Sequence, residues 1–226
     1  MLIAQLHPLA ASLFSLAAIA SLLLAFVILG SRWLTDYLIA FAAESWLIAG
    51  LSAAVGYYGH YPELYVIALL TALFRGVVLP YLLLRVIRNL NVDCEVHERL
   101  SPSACMVTGA LLVLFAFVVS SHLGQSLGLA GTVAVLALTV MLSMKLIGFL
   151  MLVVRREALS QIVALLVLEN GIFLGSQILV PGMPLLIELV ILFDLLVVVV
   201  CFGVLIRYMV AHTGTSDASQ LKRLVG

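Results

Sequence analysis

The sequence predicts an all-α integral membrane protein with seven transmembrane helices, and three observations predict it. Apolar residues make up 65% of the chain and charged residues 10%. With a mean hydropathy of +1.28, this lies outside the range of soluble domains. Seven stretches reach the roughly 20 apolar residues that a helix needs to cross hydrocarbon. Basic residues gather in alternate connections, the pattern of a multi-pass chain in a prokaryotic cytoplasmic (inner) membrane. The net charge is zero and no basic or acidic tract is present, so nucleic acid is excluded as a partner class.

The first stretch, 8–30, follows Met1–His7, which holds no Lys or Arg, and is followed by Arg32 and Trp33. A secretory signal has a basic start and a shorter apolar core, so an uncleaved first span is expected. The remaining spans fall at 34–56, 63–87, 102–121, 126–153, 158–180 and 184–208. Pro8, Pro62, Pro102 and Pro184 each stand at a first helical turn, where a missing N–H costs nothing. Ser101 is placed to cap the helix that opens at Pro102, and Pro181-Gly182-Met183-Pro184 reads as the turn between the last two spans.

Arg32, then Arg85, Arg88 and Arg99, then Arg155 and Arg156, then Arg207, Lys222 and Arg223 mark one side of the membrane. The intervening connections, Tyr57 to Pro62, His122 to Gln125 and Val180 to Met183, hold no Lys or Arg. The positive-inside rule puts the N-terminus outside and the C-terminus in the cytoplasm. The chain divides into an N-terminal half of three helices with a cytoplasmic loop (1–101), a linking helix (102–125), a three-helix unit (126–211) and a cytoplasmic tail (212–226). The halves echo each other. Leu34-Thr35-Asp36-Tyr37-Leu38 leads to Glu44-Ser45 and then Gly50, as Leu159-Ser160-Gln161-Ile162 leads to Glu169-Asn170 and then Gly175. Leu83-Leu84-Arg85 is matched by Leu205-Ile206-Arg207. Such an echo fits a parallel repeat of three helices.

Six ionisable residues interrupt the apolar spans: Glu44, Arg75, Lys145, Glu169, Glu188 and Asp194. A charge at mid-membrane costs about 2.5–3.5 kcal/mol on insertion scales, and such residues mark proton or ion paths by default. Glu169 lies mid-span, with Ser176 two turns on and Gln161 near the same face, a seam that water could enter; it either handles protons or pairs with a neighbouring helix. Glu188 is nearer the outer surface, as a path station or a headgroup contact, and Asp194 is nearer the midplane. Arg75 stays charged and suits a fixed countercharge. Pro80 frees the carbonyl of Gly76, predicting a local break beside it. Lys145 is able to switch protonation, and Glu44 is either a second proton station or a contact to a neighbouring subunit. Tyr57, Tyr58 and His60 read as interfacial anchors, and His97 as part of a solvated inner loop. Cys94, Cys105 and Cys201 are dispersed without a CxxC pair, which argues against zinc or an iron–sulfur cluster held by this chain. No nucleotide-binding loop, HExxH or GxSxG motif occurs, so covalent catalysis is not expected of this chain.

Ser160-Gln161-Ile162, Leu168-Glu169-Asn170-Gly171, and Glu188 with Asp194 six residues on strongly resemble the hydrogenase-4 component E family. The tail His212-Thr213-Gly214-Thr215-Ser216-Asp217, with Leu221 and Gly226, is similar to that family's tail. Arg75, Val78-Leu79-Pro80, Arg85, Arg88 and Asn89 resemble its third-span segment, in which a lysine is expected near position 75.

The resemblance implies a membrane subunit of a complex-I-related NiFe hydrogenase of the formate hydrogenlyase type. Its last three spans would be related to the K subunit of complex I and the C subunit of sodium/proton antiporters. It further implies that Glu169 and Asp194 belong to a proton-translocating hydrophilic axis, fed by Lys145, with Asp194 replacing a longer glutamate. Glu44 has no counterpart there. The NiFe centre and iron–sulfur clusters would sit in partner subunits, with no cofactor in this chain. Its partners would be antiporter-like and quinone-subunit-like membrane chains and a peripheral redox module. A subunit of a multi-subunit Na⁺/H⁺ antiporter and a structural linker in a complex-I-like assembly are the alternatives.

Overall fold

The structure, a computed structural model, describes residues 8–90, 100–128 and 132–179, together with positions 200, 203 and 204. All regular elements among them are helices, and six helices are long and apolar enough to cross a membrane. They are α1 (Pro8–Gly30), α2 (Leu34–Gly59), α3, α4 (Pro102–Ser126), α5 (Thr132–Val154) and α6 (Ala158–Leu179). Helix α3 is composite, running as α-helix over Glu63–Leu70, π-helix over Thr71–Val78 and α-helix again over Leu79–Leu90. Even the 22 residues of α6 extend about 33 Å, enough for a hydrocarbon core of about 30 Å. The expected seventh span, with Glu188 and Asp194, lies outside the described residues except for positions 200, 203 and 204, which are helical. The inner loop around His97 and the tail also lie outside them.

Local chemistry sets the helix ends. Ser101 accepts a hydrogen bond on its hydroxyl from the N–H of Ala104 at 3.3 Å, with Pro102 in the first turn of α4. Helix α2 continues past the expected 56 to Gly59. It stops where His60 turns left-handed at φ 57° and donates its N–H to the Gly56 carbonyl, a common way to end a helix. The polar run around His122–Gln125, expected as a connection, is helical. There Ser121 donates to the Val118 carbonyl at 2.8 Å and Ser126 to the His122 carbonyl at 3.0 Å. Hydroxyls satisfied by their own helix need no turn, so the chain leaves α4 at Leu127 and Gly128, the latter at φ +62°. Helix α5 accordingly begins at Thr132, not at 126.

Close approach of small residues binds the bundle. Helices α5 and α6 meet at Gly171 and Gly175, where an added Cβ would lie 2.6 Å from the Cβ of Met144 and 2.7 Å from that of Met141. This is the small-residue packing that replaces the hydrophobic effect between helices in lipid. Helix α4 buries only a stripe, Cys105, Gly109, Ala116, Ser120 and Gly124, against α1 and α5. Its Leu111, Leu114, Phe115 and Phe117 are exposed. Helices α2 and α6 lie deepest and pack on each other.

Candidate functional site

Helix α2 presents Phe41, Glu44, Ser45, Ile48 and Ser52 as one buried face, at the spacing of a helical stripe. The hydroxyls of Ser45 and Ser52 fold back on the carbonyls of Phe41 and Ile48 at 2.9 and 3.0 Å. The carboxylate of Glu44 therefore remains the unsatisfied polar group of this face. It is fully buried, and neither oxygen closes a hydrogen bond to a described residue.

Arg75 faces it from the π-helical part of α3. Pro80 has no N–H for the Gly76 carbonyl, and the expected break there takes the form of a widened turn. The Leu79 N–H donates to Phe74, five residues back, the bonding pattern of a π-helix, which recurs at functional sites. At Gly76 an added Cβ would lie 2.9 Å from the indole nitrogen of Trp46, so the glycine lets α2 and α3 close on each other. Arg75 is buried to 1% exposure.

Helix α6 completes the cluster. Arg75 Nη1 donates to Asn170 Oδ1 at 3.0 Å, and Nη2 lies 3.7 Å from Glu169 Oε2. The guanidinium carbon sits 5.3 Å from the centroid of the Phe173 ring. Glu169 keeps a 17% exposed edge. Glu44 is within electrostatic reach of Arg75 and points at the Asn170 side chain, whose amide nitrogen is buried and closes no hydrogen bond to a described residue. Two turns further along both helices, Gln177 donates its amide to the Ser52 hydroxyl at 2.5 Å. Residue numbers rise together across these two contacts, so α2 and α6 run parallel. The two helices that carry the sequence echo are thus packed side by side.

The structure brings together three of the expected site residues, Glu44, Arg75 and Glu169. Lys145 is half-buried on α5, with its backbone beside Gly171, and forms no ion pair with another described residue. Glu188 and Asp194 lie outside the described residues. The expected seam of Gln161, Glu169 and Ser176 does not form, because short-range bonds claim both neighbours. Gln161 donates to the Arg155 carbonyl at 3.2 Å and Ser176 to the Phe173 carbonyl at 2.8 Å. Tyr57, Tyr58 and His60 line a shallow bowl with Pro62 and Tyr65 at one end of the bundle.

Two features went unread in the sequence. The helical offsets from Glu44 to Ser52 and from Asn170 to Gln177 would have placed all four on one interface. Arg155, read as an interfacial charge, is buried. Its Nη2 donates to the Leu29 and Ile28 carbonyls at 2.7 and 3.4 Å, and its guanidinium carbon is 5.0 Å from the Tyr37 ring centroid. These carbonyls belong to the last turn of α1, which has no basic residue of its own. A cation at that end satisfies both orphan acceptors and helix dipole. Among the described residues no group of three or more His, Cys, Asp or Glu converges to hold a metal.

No family model matches the chain, and no solved structure matches it. An uncharacterized protein of Mycobacterium tuberculosis is 28% identical over 151 residues, covering 66% of this chain and 67% of that protein.

Proposed function

We propose that this chain is a non-catalytic membrane subunit that carries part of a proton-translocating polar axis in a NiFe hydrogenase of the formate hydrogenlyase type. The observation that carries the proton-handling part is the buried set of Glu44, Arg75, Glu169 and Asn170, which links three apolar helices near their midpoints. A pair of carboxylates around one permanent cation, closed off except at the edge of Glu169, can gain and lose a proton at modest electrostatic cost. A purely apolar packing would do as well for assembly alone. The hydrogenase part is supported by the resemblance of the Glu169-Asn170-Gly171 segment and the tail to component E. In this reading the chain crosses the cytoplasmic membrane seven times, with its N-terminus outside. Glu169 and Asp194 exchange protons as charge moves in a peripheral redox module, Lys145 feeds them, Glu188 serves the outer end, and Arg75 fixes the local field. The NiFe centre and iron–sulfur clusters belong to partner chains.

The test is purification through a C-terminal tag in mild detergent, followed by identification of the attached chains and assay of nickel and iron. Nickel, iron and hydrogen-linked activity in one complex are expected. In that complex E169Q is expected to abolish coupled proton movement while turnover with artificial acceptors persists. Normal proton movement in E169Q refutes the role of Glu169. A metal-free assembly with Na⁺-dependent proton exchange refutes the hydrogenase assignment and establishes an antiporter subunit.

A further inference from the structure

Glu44 is the member of the cluster to which the proposed axis gives no role. It occupies the position in the first half that Glu169 holds in the second, on a parallel helix in direct contact. The two carboxyl groups approach one guanidinium from opposite helices. Arg75 is paired with Glu169 at 3.7 Å and bound to Asn170 at 3.0 Å, with Glu44 behind the Asn170 amide. The two acids differ in access, Glu169 having a 17% exposed edge and Glu44 none.

We propose that Glu44 and Glu169 share a single exchangeable proton around Arg75, with Glu169 as its point of entry and Glu44 as a sealed store. The inference rests on the proton-handling reading and adds to it a second site and a capacity. One guanidinium balances one carboxylate. A second bare carboxylate among apolar helices carries an uncompensated charge, which costs several kcal/mol. One of the two groups therefore holds a proton while the other faces Arg75. Asn170 sets the geometry for both arrangements. Its oxygen holds Arg75, which leaves the amide nitrogen, a donor, turned toward Glu44 and able to support that group when it is ionised. In the exchange an O–H bond breaks on one carboxyl and forms on the other, through water admitted at the edge of Glu169, and the net charge of the cluster is unchanged. The charged groups facing this exchange are Arg75 from α3, Glu169 from α6 and, half-buried on α5, Lys145.

The test is infrared difference spectroscopy of the full chain in lipid nanodiscs, with ¹³C-labelled glutamate and exchange from H₂O to D₂O. The wild type is expected to show a protonated glutamate carbonyl band that shifts on exchange. E44Q and E169Q are each expected to lose the same intensity, because either variant leaves one carboxylate paired with Arg75. The double variant E44Q/E169Q is expected to lose no more. A band retained at full intensity in E169Q means that Glu44 holds its proton independently and overturns the proposal, and this arm does not require E44Q to fold. A twofold larger loss in the double variant overturns it as well. Coupled proton movement in E169Q is a separate readout. It tests the axis, whereas the non-additive spectra test the shared proton.

Discussion

Replacing Arg75 by methionine keeps a long, flexible apolar stem in the same space and removes the charge that holds the cluster. Three contacts are lost: the 3.7 Å pair with Glu169, the 3.0 Å bond to Asn170 and the ring contact with Phe173. Opposite unit charges at 3.7 Å attract by about 4.5 kcal/mol at an effective dielectric of about 20. The charged hydrogen bond adds about 1.5–3 kcal/mol and the ring about 0.5–2 kcal/mol. Dehydration of the guanidinium offsets much of this sum. The expected net loss for R75M is therefore about 3–5 kcal/mol, the range for stranding one partner of a buried pair. Reversible unfolding by sodium dodecyl sulfate in mixed micelles measures it for the wild type, R75M, E169Q and R75M/E169Q. The double variant strands no carboxylate at Glu169, so it should be more stable than the sum of the single losses by about 2 kcal/mol. Additivity within about 0.5 kcal/mol refutes the claim that charge pairing holds these helices together.

Three other substitutions probe the scaffold. R155M removes the donor to the Leu29 and Ile28 carbonyls and should cost about 1.5–3 kcal/mol in the same titration, with faster hydrogen exchange at the end of α1. G171V places a branched side chain where a Cβ is already 2.6 Å from Met144. It should cost about 1–3 kcal/mol by overpacking, and trimming Met144 to alanine should return part of that loss. Q177L removes the bond to Ser52 and should cost only about 0.6 kcal/mol, the average for a hydrogen bond between membrane helices. A loss as large as that of R75M would mean that the amide contact, not the ion pair, anchors α2 to α6.

Much of this arrangement is legible in the residues. Prolines and apolar length place the first six spans, because the bilayer leaves a chain few options beyond a helix of fixed length. The polar ends are less legible. His122, Gln125 and Ser126 look like a connection, yet a helix at the headgroups can bond its own hydroxyls and keep its side chains hydrated. Glu44, Arg75 and Glu169 stand out for their cost in lipid, and that cost also predicts that they meet. Their geometry is less visible, because Gln161 and Ser176 share a face with Glu169 on a helical wheel but find nearer backbone partners. Arg155 is the clearest case. The sequence shows a basic pair at a helix end, and only the packing of α1 against that end explains why one member turns inward.

The π-helical stretch of α3 has a consequence for the gene as well as the helix. Thr71, Arg75, Leu79, Leu83 and Ile87 are all buried, at strict intervals of four. In a uniform α-helix a stripe with that spacing precesses by about 40° per step. Five such residues could not then share one neighbour. A stretch that takes about one more residue per turn winds the drift back, so it acts as a register correction inside the span. Loss of a single codon between 71 and 78 would restore ordinary winding and swing the rest of the helix by about 100°. Leu83 and Ile87 would then face the lipid. This segment should accept many exchanges of one residue for another but no change in its number of residues.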